Sequence, residues 1–508
     1  MDGTSTFLAV MRLLPAILLA LAVAACAPAR LERISERRFH ATSTHSDLHR
    51  AFDGANDPAA KHALGDWLQS APRSGSSVDG YLIRFHPGGD GMFSPTYFDR
   101  LEPASHYEVS GLNHHQVDGI GVPLIGTREN RHQQPVERWY PPEVITRAVT
   151  AVVVPGPMKG GQRTVEIRLY DRLKTETAAL GRKQQTLAAD FTVPFAALLE
   201  RARPLARSGI TAVIRKKSSR EASFGLLEEY DPHRTPLICI HGLFSTPLAW
   251  AELTNELWAD PAIRSRYQVW HYLYPTNSPA LYSARVMRGQ LDELRKFLDP
   301  AGDDPAMQRS VVIAHSNGGL LAKSLAVDPR NAFWDAVFTR PLSSLNLTRS
   351  EHHTLDEAFY WKPRTHVDRI IFCSVPFRGS NWANSWLGRL GQRFVAPDDR
   401  FQDFFRQIEK KNPGMLQPAY QSLTQGKITS VVALSPRGRS MEIYDRLPLV
   451  RGTAGHVITG SRDMFVAPSS SSLPGAESSL EVPAGHGSFH HPQAIAEIKR
   501  ILTLPASR

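Results

Sequence analysis

The 508-residue chain predicts an α/β fold over residues 223–508, a mostly parallel sheet with helices on both faces, preceded by a small α+β domain. Three observations predict it. From about residue 223, strand-like and helical stretches alternate, which is the rhythm of a sheet covered on both faces. The apolar run VVIA (311–314) leads through His315 and Ser316 straight into an apolar helical start, NGGLLAK (317–323). Upstream, residues 61–222 have another character, with strand signals set among Gly- and Pro-rich connections.

The first element in chain order is RLLPAILLALAVAAC (12–26), one arginine, an apolar stretch and then small residues. A segment this short suits the core of a signal peptide better than a bilayer-spanning helix. VAAC (23–26) resembles the lipobox of bacterial lipoproteins. That resemblance implies that residues 1–25 are a signal peptide, that Cys26 is acylated, and that the chain meets the membrane through an N-terminal lipid anchor. Ala27, where an Asp would retain the chain at the inner membrane, implies an outer-membrane location facing the periplasm or the cell surface. An ordinary secretory signal cut after Ala27 is the alternative, and Met11 is an alternative start. Residues 26–60, polar, charged and His-rich, read as a tether.

In the 61–222 domain, VTAVVV (149–154), TVEIRLY (164–170) and GITAVIRK (209–216) read as strands, and FAALLERAR (195–203) reads as a helix. The Gly, Pro, His and Asn content between Pro87 and Pro142 suggests long loops. Beyond 223, strands are expected at FGLLEEY (224–230), PLICI (236–240), YQVWHYLY (267–274), 311–314, VDRIIFCSV (367–375) and GHVITG (455–460). Helices are expected over 247–258, 280–298 and 492–502. Insertions at about 325–366 and 380–454 interrupt the alternation and are of a length often used for lids.

Composition narrows the partners. The +10 formal charge is scattered, and its densest short run, RKKSSR (215–220), has no interleaved aromatics and no nucleic-acid module around it, so no nucleic-acid partner is expected. Besides Cys26 there are only Cys239 and Cys373, both within strand-like apolar runs, which suits buried free thiols. The 20 histidines include adjacent pairs at 114–115, 352–353 and 490–491, but neighbours in sequence rarely face one ion, and no HExxH or CxxC pattern occurs. No metal and no cofactor is expected in the chemistry.

Serine is a poor strand former and adds nothing to a core, so its place at a buried strand-to-helix junction calls for a chemical reason. Ala314-His315-Ser316-Asn317-Gly318 resembles the nucleophile elbow of the α/β-hydrolase superfamily, where the positions two before and two after the nucleophile must be small. PLICIHGLFSTPLAW (236–250) resembles the oxyanion-hole loop of the same superfamily. The resemblance implies that the backbone N–H groups of Leu243 and Asn317 would face the oxygen that becomes negative on ester attack. GSRDMFV (460–466) resembles the stretch that carries the acid, giving Asp463, with Asp445 as a rival. VPAGHGSFHHPQAI (482–495) resembles the loop that carries the base, giving His486, with His490 and His491 as rivals.

SVPFRGS (374–380) looks like the TPHxGS stretch of lipase-like members, with Phe377 in place of the histidine. LAADFTVPFAALL (187–199) and YQVWHYLYPTNSP (267–279) look like a group of bacterial α/β-hydrolase lipoproteins. The implied activity is hydrolysis of carboxylic esters, lipid-like ones above all, through a Ser316 acyl-enzyme. An acyltransferase using the same residues, or a non-catalytic surface protein with the same fold, are the competing readings.

Overall fold

A computed structural model describes residues 30–33, 44–88, 93–94, 96–142, 144–202, 222–380, 399–424 and 439–507. The signal segment 1–25, Cys26, the strand expected over 209–216 and the basic run 215–220 lie outside these residues. The chain divides into two compact units, one of Met1–Ala27, Pro204–Leu253 and Arg266–Arg508, the other of Pro28–Arg203 and Thr254–Ser265.

In the second unit, helix α1 (His45–Phe52) and the first residues of α2 (Pro58–Ser70) lie within the stretch expected to be a tether. A polar average hides an amphipathic pattern there: Leu48, Ala51 and Phe52 fall on one helical face, and all three are buried. Thr44 and Asp47 form a reciprocal capping box that starts α1. A six-stranded sheet backs the helices, with β1 (Ser76–Val78), β2 (Tyr81–Pro87), β3 (Arg100–Pro103), β4 (Val122–Arg128), β5 (Ile145–Lys159) and β6 (Gln162–Asp171) in the order β1-β2-β6-β5-β4-β3. Strand β4 lies where long loops were expected. Its Pro123 and Gly126 disguise it, yet Pro123 precedes the pairing with β3, and a Cβ at Gly126 would sit 2.7 Å from the Phe98 ring. Helix α3 (Thr192–Arg201) also belongs to this unit.

The first unit holds a seven-stranded sheet. Its strands are β7 (Ser223–Leu226), β8 (Thr235–Ile240), β9 (Tyr267–Leu273), β10 (Ser310–His315), β11 (Val367–Cys373), β12 (Ala454–Gly460) and β13 (Ser478–Val482), in the order β7-β9-β8-β10-β11-β12-β13. All pairings are parallel except β7 with β9. The strand expected over 224–230 stops at Leu226, because the buried Glu228 carboxylate takes over, accepting from the Val269 N–H at 3.0 Å and pairing with Arg234 at 2.7 Å. Strand β13 gave no apolar signal, since it is an edge strand of sequence SSLEV. Cys239 on β8 and Cys373 on β11 are buried free thiols.

Helices α4 (Ala251–Ala259), α5 (Ala280–Leu298), α6 (Asn317–Lys323), α7 (Ala332–Val337), α8 (Arg349–Phe359), α9 (Asp399–Lys411), α10 (Arg439–Arg446) and α11 (Pro492–Thr503) follow or interrupt the strands. Helix α5 buries Ala280, Ser283, Ala284, Met287, Leu291 and Leu294, the three- and four-residue spacing of one helical face. Chain order reverses across β8, since β9 lies on one side of it and β10 on the other. The carboxyl ends of β8 and β10 therefore border the crevice where open α/β sheets bind ligands.

Lys323, at the end of α6, is fully buried. Its Nζ donates to the Tyr444 carbonyl oxygen on α10 and lies 4.8 Å from the Phe377 ring centroid. Burial lowers the Lys323 pKa from 10.5 to about 8, against the pull of the Asp445 carboxylate. Below pH 8 the lysine is protonated in both folded and unfolded chains, so the cost of burying its charge is full. Between about pH 8 and 10.5 the folded state has released the proton and the unfolded state still holds it, so the cost fades. Lys323→Met is therefore expected to be more stable than wild type at pH 7, by on the order of 1–2 kcal/mol. Urea unfolding at pH 7 and pH 10 checks this: the advantage should shrink at the higher pH, and an advantage that grows would contradict the buried-charge account.

Candidate active site

Strand β10 is buried on both faces and ends at His315, and the chain must then reverse direction within one residue to start α6. Ser316 makes the turn at φ 54° and ψ −129°, a region that costs an L-residue about 1–3 kcal/mol. Its N–H donates to the Cys373 carbonyl at 2.9 Å, and its own carbonyl accepts from Gly319 at 2.9 Å. The turn closes because the second and third residues after Ser316, Gly318 and Gly319, lack side chains. A Cβ on Gly318 would sit 2.3 Å from the His241 carbonyl oxygen, and one on Gly319 would sit 2.1 Å from Val375 Cγ2. Ala314, two residues before the serine, is fully buried between Ile240 and Phe372 of the flanking strands.

The structure brings Ser316, His486 and Asp463 into one hydrogen-bonded line. Ser316 Oγ lies 2.9 Å from His486 Nε2, and His486 Nδ1 lies 2.8 Å from Asp463 Oδ2. Asp463 follows the end of β12, and its other carboxylate oxygen accepts from the Phe465 and Val466 N–H groups at 2.8 and 2.9 Å. With its side chain only 1% exposed, that carboxylate has one open direction, toward the imidazole. An acceptor on Nδ1 fixes the proton there and leaves Nε2 to take the serine proton. The loop carrying His486 returns over β12 because Gly460 leaves room, since a Cβ there would meet the Gly485 carbonyl oxygen at 2.3 Å.

The rival residues lie elsewhere. Asp445 sits on α10 and pairs with Arg378 Nε at 3.0 Å. His490 faces Glu252 at 2.9 Å, and His491 caps α11 by accepting from the Gln493 N–H. Phe377, which stands where lipase-like members have histidine, is fully buried beneath Lys323.

Leu243 lies in the loop after β8. Gly242, just before it, packs so close to the elbow that a Cβ would be 2.9 Å from Ser316 Cβ. Asn317 is the first residue of α6, where the backbone N–H has no intrahelical acceptor. Three contributions around these two residues are absent from the sequence reading. The Asn317 side chain donates to Tyr274 Oη at 3.1 Å, and that hydroxyl donates to the His241 carbonyl at 3.0 Å. Tyr274 also stacks on the His241 ring at 4.6 Å. Burial lowers the His241 pKa to about 4, so this ring is neutral at pH 7.

His315 is the third. Burial, reinforced by neighbouring His486, holds its pKa well below the ordinary histidine range, so it is also neutral. Its Nε2 lies 2.9 Å from the His486 carbonyl oxygen and donates to it, and the two rings are 4.6 Å apart. A polar ring inside an otherwise apolar strand was the signal for His315, and a tyrosine just past a strand's carboxyl end was the signal for Tyr274.

A mostly parallel sheet that presents a serine on a strained strand-to-helix turn, in line with a histidine and a buried aspartate, defines the α/β-hydrolase class. Residues 237–498, more than half of the chain, match the model of the alpha/beta hydrolase family, and the chain belongs to that family. Among solved structures, a lipase from Bacillus licheniformis in its mature form is 14% identical, covers 55% of this chain and 95% of its own, and has a TM-score of 0.30. A hydrolase from Pseudomonas aeruginosa is 15% identical over 57% of this chain and 97% of its own, with a TM-score of 0.31. An enol-lactonase from Burkholderia xenovorans is 15% identical over 55% and 95%, with a TM-score of 0.28. No protein of curated function matches the chain in sequence.

The hydroxyl of Tyr274 couples the elbow to the loop after β8, so Tyr274→Phe and Asn317→Ala should act on the same contact. Each is expected to lower kcat/KM for a soluble ester by about tenfold, a loss of about 1.4 kcal/mol. The double variant should lose little more than the worse single one, and a double-mutant cycle measures that directly. Fully additive losses would show that the two side chains act independently.

Proposed function

We propose that the chain is a serine hydrolase of carboxylic esters that works through an acyl-enzyme on Ser316. The reading rests above all on the Ser316–His486–Asp463 hydrogen-bond line. His486 Nε2 takes the Ser316 proton as Oγ attacks the ester carbonyl, and the imidazolium that forms is stabilised by Asp463. The N–H groups of Leu243 and Asn317 receive the oxyanion. His486 then protonates the departing alcohol, the acyl group remaining on Oγ. Water next attacks the acyl carbon, His486 removing its proton, and the acid leaves as Ser316 regains its hydrogen.

An apolar, lipid-like acyl group is the proposed substrate class. In support, Met464 is 82% exposed beside Asp463, and Phe465 faces the His486 ring at 5.3 Å, so the rim next to the base is apolar. Export and acylation at Cys26 complete the proposal, on the strength of the RLLPAILLALAVAAC segment. No helix among the described residues is long and apolar enough to cross a membrane.

A fluorophosphonate probe should label wild type at Ser316, and Ser316→Ala should lose both labelling and ester hydrolysis while unfolding at the wild-type temperature. Asp463→Asn should retain the fold and lose on the order of 10⁴ in kcat, because an amide can donate to Nδ1 and favour the wrong tautomer. Labelling at another serine, or near-normal turnover by Asp463→Asn, would refute the assignment.

Cys26→Ser should move the full-length protein from the membrane to the soluble fraction of bacterial cells. A wild-type chain without lipid mass on its N-terminus would count against the anchor.

A further inference from the structure

Helix α1 carries His45 and His49 four residues apart, so both rings lie on one face, the spacing by which a helix offers two imidazoles to a single ion. The facing group comes from another element. Val78 pairs with Tyr81 across the β1–β2 hairpin, which leaves a two-residue turn, Asp79-Gly80, with φ of 44° and 88°. That turn fixes Asp79 independently of the helix and aims its carboxylate at both histidines. Asp79 Oδ2 lies 2.6 Å from His45 Nε2 and 3.8 Å from His49 Nε2. The ligand atoms of all three residues fall within 4.8 Å of one another.

The close His45–Asp79 ion pair accounts for one of these contacts and leaves the other unexplained. His49 Nε2 is shut off from solvent and has no hydrogen-bond partner, while its ring is packed against Tyr81 at 5.2 Å and against His45 at 4.5 Å. An orphaned, sheltered imidazole nitrogen aimed at a carboxylate is costly, and a cation between them would satisfy it.

We propose that His45 Nε2, His49 Nε2 and Asp79 Oδ2 form a binding site for a divalent transition-metal ion of the zinc class. Two imidazoles and one carboxylate suit Zn²⁺, Co²⁺, Ni²⁺ or Cu²⁺ rather than Ca²⁺ or Mg²⁺, which take oxygen sets. A tetrahedral ion about 2.1 Å from each ligand atom separates those atoms by about 3.4 Å, so His45 backs away slightly and His49 closes in. Binding takes the Nε2 lone pair of His45, so in the complex the ring carries its one hydrogen on Nδ1 and any second hydrogen leaves to water. The side chains of His45 and Asp79 are 66% and 51% exposed, which leaves water as the fourth ligand. The ion would tie α1 to the β1–β2 turn, a structural role independent of Ser316 chemistry.

Isothermal titration of the chelator-treated full chain with Zn²⁺ tests the site. Wild type should take up zinc with micromolar affinity and unfold at a higher temperature in its presence. His49→Ala should weaken this uptake at least tenfold and abolish the thermal shift. Asp79→Asn should also weaken it; asparagine is as favourable as aspartate in this turn, so the fold is kept while the charge is removed. Full wild-type affinity in both variants, or no uptake by wild type at about 100 µM zinc, would overturn the proposal.

Discussion

Everything at the Ser316 site depends on how closely three pieces of backbone approach one another at the end of β10. The His241 carbonyl and the Val375 side chain occupy the places where Cβ atoms of residues 318 and 319 would be. Glycine at both positions lets α6 start directly beneath the loop after β8, and the turn between them is forced into a strained φ at Ser316. That strain is retained because the surrounding sheet determines the position from both sides: Cys373 on β11 accepts the Ser316 N–H, and Gly242 after β8 packs on its Cβ. The serine hydroxyl therefore points where the framework holds it, without needing a rotamer of its own choosing.

The same economy places His486. His486 is held through its backbone by His315, through Nδ1 by Asp463, and through loop closure over Gly460. Asp463 in turn is anchored by two main-chain amides. Each polar group near the serine is thus oriented by another that sits on a strand end, and the carboxyl edges of β8, β10 and β12 act as one rigid mount. Preorganisation of this kind is what lets fixed dipoles act on developing charge without first rearranging.

Much of this was legible in the chain. The strand-helix alternation, the α5 boundaries and the elbow were readable because each is a local pattern of apolar spacing and small residues. Ser316 and Asp463 were legible as residues that follow a strand, and His486 as one in a loop ahead of the last helix; the structure brings the three into one hydrogen-bonded line. The Asn317–Tyr274–His241 linkage was not, because it joins side chains on two different strand ends and no local spacing encodes that meeting. Edge strand β13 was missed since a solvent-facing strand needs few apolar residues. Helix α1 was missed because bulk polarity outweighed three well-spaced apolar positions, although the Thr44–Asp47 cap was there to be read.

The two cysteines of the sheet carry a consequence for redox behaviour. Cys239 aligns with Ile313 and Cys373 with His315, so strand β10 runs between them. Two strand spacings amount to roughly 10 Å, beyond the reach of a disulfide. Burial raises both thiol pKa values far above the range in which thiolate forms at neutral pH. In the folded sheet the two thiols are therefore poor nucleophiles and do not pair with each other. Alkylation of these two sulfurs becomes a clock for the opening of β8 and β11, the strands that flank the one ending at Ser316.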